Sequence, residues 1–279
     1  MKTIILALSV FIISILWSCS DSPYGLDTMY NSPLREGNVW EYENKVEFSN
    51  FRPLTPGQTF EERVDTYTGR VESRGIHIFN NGVETYSLLS YEGIENRLRP
   101  SFSYYIKTPE ALYLYGYSGG SLLAPKTNSS TKLIFHGKTF YNFQSLIDFI
   151  EQKVNHYSDS VYIENPTPKV YQYPLQVGIK WTFRDYGKPF LIEKEVIDKE
   201  VIRTPAGNFN AYVIRWYYDM DMNQIYDPDI IVTEYLHAVG LVKRVFTIKD
   251  IMITTSESPE GMGYIDLTQN IVLTSVKIN

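Results

Sequence analysis

Over most of the chain, apolar and polar positions alternate with a period of two, the pattern of strands that bury one face. Residues 76–80 and 83–88, joined by Asn81-Gly82, read as a hairpin with a type I′ turn. Residues 112–117 set Leu112 and Leu114 against Tyr113, Tyr115 and Tyr117. Residues 181–183, a turn around Tyr186-Gly187 and residues 190–202 predict a second hairpin. Pro205-Ala206-Gly207 then turns the chain into residues 209–218, apolar on both faces. Phe209, Ala211 and Val213 lie on one face, and Tyr212, Ile214, Trp216 and Tyr218 on the other. Such a strand is covered on both sides. Residues 230–235, 241–248, 251–255 and 271–277 continue the series.

One segment, 142–157, has the helical period. Leu146, Ile147, Phe149, Ile150 and Val154 form a stripe opposite Asp148, Glu151, Gln152 and Lys153, with Asn142 or Ser145 as cap. Many strands with one amphipathic helix predict a mainly β fold of antiparallel sheets, a sandwich or a partly open barrel. An internal echo adds organisation. Pro33-Leu34, Gly37, Trp40 and Tyr42 recur at the same spacing as Pro174-Leu175, Gly178, Trp181 and Phe183. The spacing suits a turn, a glycine with positive φ, and a strand with two aromatics on one face. It predicts two related halves: an N-terminal β half at 33–138, a helical connector at 139–165 and a C-terminal β half at 166–279.

Composition narrows the chemistry. Aromatics reach 15%, led by 23 Tyr, which favours pleated surfaces. Lys and Arg number 26 against 32 Asp and Glu, and without basic clusters this excludes nucleic acid as the main partner. A single cysteine rules out disulfides within the chain and a Cys-rich zinc site.

That cysteine ends the N-terminal address. Lys2 precedes an apolar run at residues 4–17, short for a membrane-spanning helix and right for a signal peptide. Leu16-Trp17-Ser18-Cys19 resembles the bacterial lipobox. The resemblance implies cleavage of residues 1–18 as a lipoprotein signal peptide and acylation of Cys19, palmitate included. Residues 19–32 are then a tether, and the mature chain is lipid-anchored in the cell envelope, with the outer membrane expected. A second resemblance lies further on, in the Pro174 to Trp181 piece, Thr204-Pro205-Ala206-Gly207-Asn208-Phe209 and Gly240-Leu241-Val242-Lys243. These are similar to the P-L-x-x-G-x-x-W, T-P-A-G-x-F and G-x-V-K motifs of an uncharacterised family of secreted bacterial proteins and lipoproteins. The family implies a mainly β fold and transfers no catalytic residue.

Candidate sites are few. Asp219, Asp221 and Asn223 at alternate positions, with Asp227 beyond, resemble the first half of a calcium loop. Gln224 stands where that loop needs glycine and Ile230 where it needs glutamate, so an acidic hairpin tip is the competing reading. Tyr113, Tyr115 and Tyr117 offer an aromatic row for a sugar or an apolar partner, or simply a half-buried sheet face. His77 alternates with Ile76 and Ile78 and is expected in solvent, and Glu193 and Glu195 on a charged strand face. No catalytic residue and no cofactor besides calcium is expected. The leading reading is a non-enzymatic envelope lipoprotein that binds or scaffolds, its partner an envelope protein, a glycan or an apolar ligand. The alternatives are a carrier holding an apolar or acyl ligand in a cupped sheet, favoured by a concave cavity, and an envelope hydrolase with an unrecognised site.

Overall fold

The computed structural model describes residues 33–93, 99–118, 131–151, 160–185 and 190–279. Cys19, the signal peptide, the tether, the helix beyond Glu151 and the Tyr186-Gly187 turn lie outside the described residues. Among those described, the first strands are β1 (Val39–Pro53), β2 (Arg63–Ile78), β3 (Glu84–Gly93), β4 (Arg99–Lys107), β5 (Ala111–Ser118), β6 (Lys132–Phe135) and β7 (Lys138–Phe140). Helix α1 (Phe143–Ile150) follows. The remainder are β8 (Val161–Ile163), β9 (Lys169–Gln172), β10 (Lys180–Arg184), β11 (Leu191–Thr204), β12 (Gly207–Asp219), β13 (Ile230–His237), β14 (Gly240–Thr254) and β15 (Gly263–Lys277).

All strands join one antiparallel sheet, in the order β10-β11-β12-β13-β14-β15-β1-β2-β3-β4-β5-β8. Strand β9 also pairs with β5, and the β6–β7 hairpin hangs from β14. The mainly β expectation holds. There is one open sheet, so of the two forms expected the sandwich does not apply. Right-handed twist and the bulges at 196–198 in β11 and 248–251 in β14 curl the sheet. Residues 241–248 and 251–255 are accordingly one bent strand, with Asp250 at φ 57°.

Its two edges meet with no ladder between them among the described residues. Side chains bridge the seam instead. Trp181 Nε1 donates to the Lys169 carbonyl at 3.1 Å, and Lys194 Nζ to the Val170 carbonyl at 3.2 Å. Arg184 grips Glu164 with two bonds of 3.1 and 2.5 Å.

Helix α1 packs within the curl. Asn142 caps it, its Oδ1 accepting the Ser145 amide at 2.8 Å. Phe143, Leu146, Ile147 and Ile150 occur at i, i+3, i+4 and i+7 and are all buried. Phe143 meets Phe48 edge-on, and Phe149 meets Phe190. Each fully buried apolar side chain contributes roughly 1.5–3 kcal/mol, so packing rather than helix propensity holds this short element. Strand β12 is apolar on both faces, as expected, but it is not covered on both sides along its length. Phe209, Ala211 and Val213 are buried in its first half and Ile214, Trp216 and Tyr218 in its second, while Asn208, Asn210 and Arg215 are exposed. Phe209 and Ala211 join Trp40, Val239, Val242 and Leu273 in a small cluster, while Ile214, Trp216 and Tyr218 enter the main core or pack beside it.

The echoed motifs form the same turn twice. Gly37 takes φ 84° and donates to Ser73 O, while Ser73 N returns to Asn38 O. Gly178 takes φ 92° and donates to Val196 O, while Val196 N returns to Ile179 O. Trp40 and Trp181 follow three residues later, each 4% exposed. At the β2–β3 tip the expected type I′ turn gives way to a longer one. Phe79 accepts from Gly82 and donates to Val83 O, and only Gly82 has positive φ, whereas type I′ needs two such residues.

Candidate functional site

Three strands of one stretch of the sheet, with β12 between the first and second, each place one charged residue in an otherwise apolar inward row. On β11 the row is Ile192, Lys194 and Val196; on β13 it is Ile230, Val232, Glu234 and Leu236; on β14, Arg244 precedes Phe246 and Ile248. The register brings them together. Lys194 lies opposite Trp216 on β12, and Glu234 lies opposite Arg244. Glu151, the C-cap of α1, completes the group from the helix.

The charges alternate along a chain. Lys194 Nζ stands 3.5 Å from Glu234 Oε2, Arg244 Nε 3.8 Å from Glu234 Oε1, and Arg244 Nη2 donates to Glu151 Oε1 at 2.5 Å. Lys194 is 1% exposed. Its ammonium sits 3.7 Å from the Trp216 ring centre and near the Phe183 and Tyr171 rings, and Arg244 covers Trp216 at 5.0 Å. Burial pulls the Lys194 ammonium down to about 8, against the opposing pull of Glu234. Burial also works against the charge of Arg244, but Glu151 and Glu234 outweigh it and hold the guanidinium above its ordinary range. Tyr171 and Tyr218 hydroxyls are pushed up chiefly by burial. Trp216 Nε1 and Arg244 Nε are buried donors with no hydrogen-bond partner among the described residues.

These groups floor a cavity of about 370 Å³. Its remaining wall is largely apolar, including Leu34, Trp40, Leu88, Leu112, Leu236 and Ile271, drawn from both core clusters and from strands on both sides of the seam. That volume falls at the lower end of the ~300–1,000 Å³ range of small-molecule sites. Chemically, the arrangement can take an apolar body with one small polar end.

The residues singled out from sequence lie elsewhere. The tyrosine row is not an exposed strip. Tyr115 and Tyr117 are buried, with Tyr115 against Phe79 and accepting from Asn81 Nδ2 at 2.8 Å. A bulge on β5 pairs Leu114 with Tyr105 and Gly116 with Tyr104, which breaks the period. Tyr113 therefore stays opposite Ile106, while Tyr117 falls opposite Ser103 on the cavity side and packs on Tyr162.

The acidic loop does not gather a calcium shell either. Asp219 accepts the Asn223 and Gln224 amides at 3.0 and 2.8 Å, Asp221 accepts the Asn223 amide at 3.2 Å, and Asp227 accepts the Met220 amide at 2.7 Å. The carboxylates hold the turn that puts Met222 and Gln224 at positive φ. Among the described residues no group of three His, Cys, Asp or Glu is placed to hold a metal. His77 is exposed at its hairpin, as expected, but so are Ile76 and Ile78 beside it.

No protein-family model matches the chain, and no curated protein does. Among solved structures, a candidate lipoprotein from Parabacteroides distasonis ATCC 8503 aligns over 88% of this chain and 97% of its own, at 15% identity and TM-score 0.35. A candidate exported protein with YmcC-like fold from Bacteroides fragilis NCTC 9343 aligns over the same shares at 10% identity and TM-score 0.33. A lipovitellin structure aligns over 88% of this chain and 26% of its own, at 11% identity and TM-score 0.20. Likenesses this distant carry no function across.

The floor residues were hidden in sequence by their neighbours. Glu193 and Glu195 flank Lys194 and make the stretch look like a charged face. Reading every second position gives Ile192, Lys194 and Val196, which sets the lysine in a core row. The same reading exposes Glu234 and Arg244.

Proposed function

We propose that this chain is a cell-envelope lipoprotein, anchored through acylated Cys19, whose curled sheet carries a small apolar ligand. The cavity carries this reading: a scaffold needs only a filled core, whereas here a concave, largely apolar space of about 370 Å³ lies inside the sheet. The sequence supports the anchor through Leu16-Trp17-Ser18-Cys19. Pro33 and Leu34 belong to the cavity wall. A tether of residues 19–32 spans at most about 50 Å when fully extended, so the cavity stays within short reach of the membrane.

Native mass spectrometry of the full chain from its own membrane tests this. A bound species is expected on wild type, and it should be lost from Ser103→Phe, which fills the cavity from its β4 wall. A wild type that carries nothing, and a Ser103→Phe variant that behaves identically, would return the reading to a scaffold.

A further inference from the structure

The cavity's polar floor has a composition that selects the ligand's head. Its buried part contains two cations, Lys194 and Arg244, and two anions, Glu151 and Glu234, while Arg70, the third cation lining the cavity, is half exposed and paired with Glu41 and Glu72. They pair in sequence, Lys194 to Glu234 to Arg244 to Glu151, at 3.5, 3.8 and 2.5 Å. Neither cation is surplus. Lys194 also donates to the Val170 carbonyl and lies on Trp216. An incoming carboxylate or phosphate would therefore have to displace a glutamate from a buried pair, leaving that glutamate charged and uncompensated. An uncharged head meets no such barrier. Two residues of the floor and its wall, Trp216 and Arg244, each hold a buried N–H without an acceptor among the described residues. A neutral oxygen supplies what they lack.

We infer that the ligand is a neutral amphipath, an acyl or other apolar chain ending in an ester, amide or hydroxyl group, and that free fatty acids and phosphate-headed lipids are excluded by the balanced Lys194–Glu234–Arg244–Glu151 floor. This inference rests on the carrier reading. Trp216 has a role in it beyond packing, since its indole ring contacts both cations and its N–H is a donor for the head.

The test uses the full acylated chain in phosphatidylcholine vesicles at neutral pH. The probes are stearic acid brominated in mid-chain and the monoglyceride of the same acid, which quench tryptophans they touch. Trp40 and Trp216 line the cavity and report binding. The monoglyceride should quench at a concentration at least tenfold lower than the acid. Glu234→Gln removes one anion, and the acid's own carboxylate can then stand beside Lys194 and Arg244 in its place. The preference should shift towards the acid by tenfold or more. Glu151→Gln, which frees Arg244 from the other side, provides the same readout should Glu234→Gln unfold. A wild type that prefers the acid, or an unchanged preference in both folded variants, overturns the inference and leaves the carrier standing. Quenching by neither probe, in a protein where Ser103→Phe changes nothing, overturns the carrier reading and the inference with it.

Discussion

Replacing Arg184 with methionine should destabilise the protein by about 3–5 kcal/mol, the range for removing one partner of a buried ion pair. The side chains of Arg184 and Glu164 are 1% and 3% exposed, and two parallel bonds of 3.1 and 2.5 Å join them across the seam. Methionine keeps the volume and loses both bonds, so the Glu164 carboxylate stays buried without its fork. Glu164→Leu alone should cost a similar amount, since it takes both of these bonds from the buried guanidinium. The double variant removes both charges together and should lie within about 2 kcal/mol of wild type, because a buried pair is worth little beyond an apolar replacement. The coupling across the cycle is then at least ~4 kcal/mol. Urea unfolding of the four proteins, followed by tryptophan fluorescence with m held common, measures it. Additive single costs, or a single cost below about 1 kcal/mol, would show that the seam does not depend on this pair.

Three further outcomes follow from the geometry. Burial holds the Lys194 ammonium near 8 against 10.5 when unfolded, so the unfolded chain binds more protons between those values; stability should rise with pH across that window by about 3 kcal/mol, and Lys194→Met should lack the rise when the two proteins are compared from pH 8 upward. Asp219→Ala should cost about 1.5–3 kcal/mol through loss of its amide bonds, while millimolar calcium should leave the melting temperature of wild type and of Asp221→Ala unmoved. Gly37→Ala and Gly178→Ala should each cost about 1–2 kcal/mol, because an added Cβ meets only the Asn279 side chain at one site and nothing within 4 Å at the other, leaving backbone strain as the common term; a neutral result at either would deny that the two turns are equivalent.

How far the sequence could be read depended on which period survived folding. Strand segments, the Asn142 cap and the paired Gly-x-x-Trp turns follow from local rules, and those rules hold in the fold. The tyrosine row failed because alternation assumes an unbroken strand, and the bulge on β5 inserts one residue between Leu114 and Gly116. The acidic loop left two readings open because alternate oxygens serve a turn as readily as an ion, and its hydrogen bonds are those of the hairpin tip. The charged floor was legible in part. Lys194, Glu234 and Arg244 each interrupt an apolar row, but nothing local says that β11, β13 and β14 bring the three together, since that depends on sheet order and register. The seam between β10 and β9 was beyond reach for the same reason: it joins residues whose neighbourhood exists only once the sheet has curled.

Strands β1 and β15 are the sheet's middle pair, and Val39 pairs with Lys277 at one end of their ladder while Pro53 pairs with Gly263 at the other. A ribosome delivers β1 long before β15. Until residues 263–277 emerge, β1 presents fifteen residues of unpaired backbone on the side where β15 will lie, and β14 waits with a matching bare edge. Long uncovered edges recruit other chains, and contacts this distant in sequence form slowly. The keystone of this arch is therefore set last. Biosynthesis has to shield two half-sheets through an interval whose length is fixed by the order of the strands and not by the strength of any contact in the finished fold.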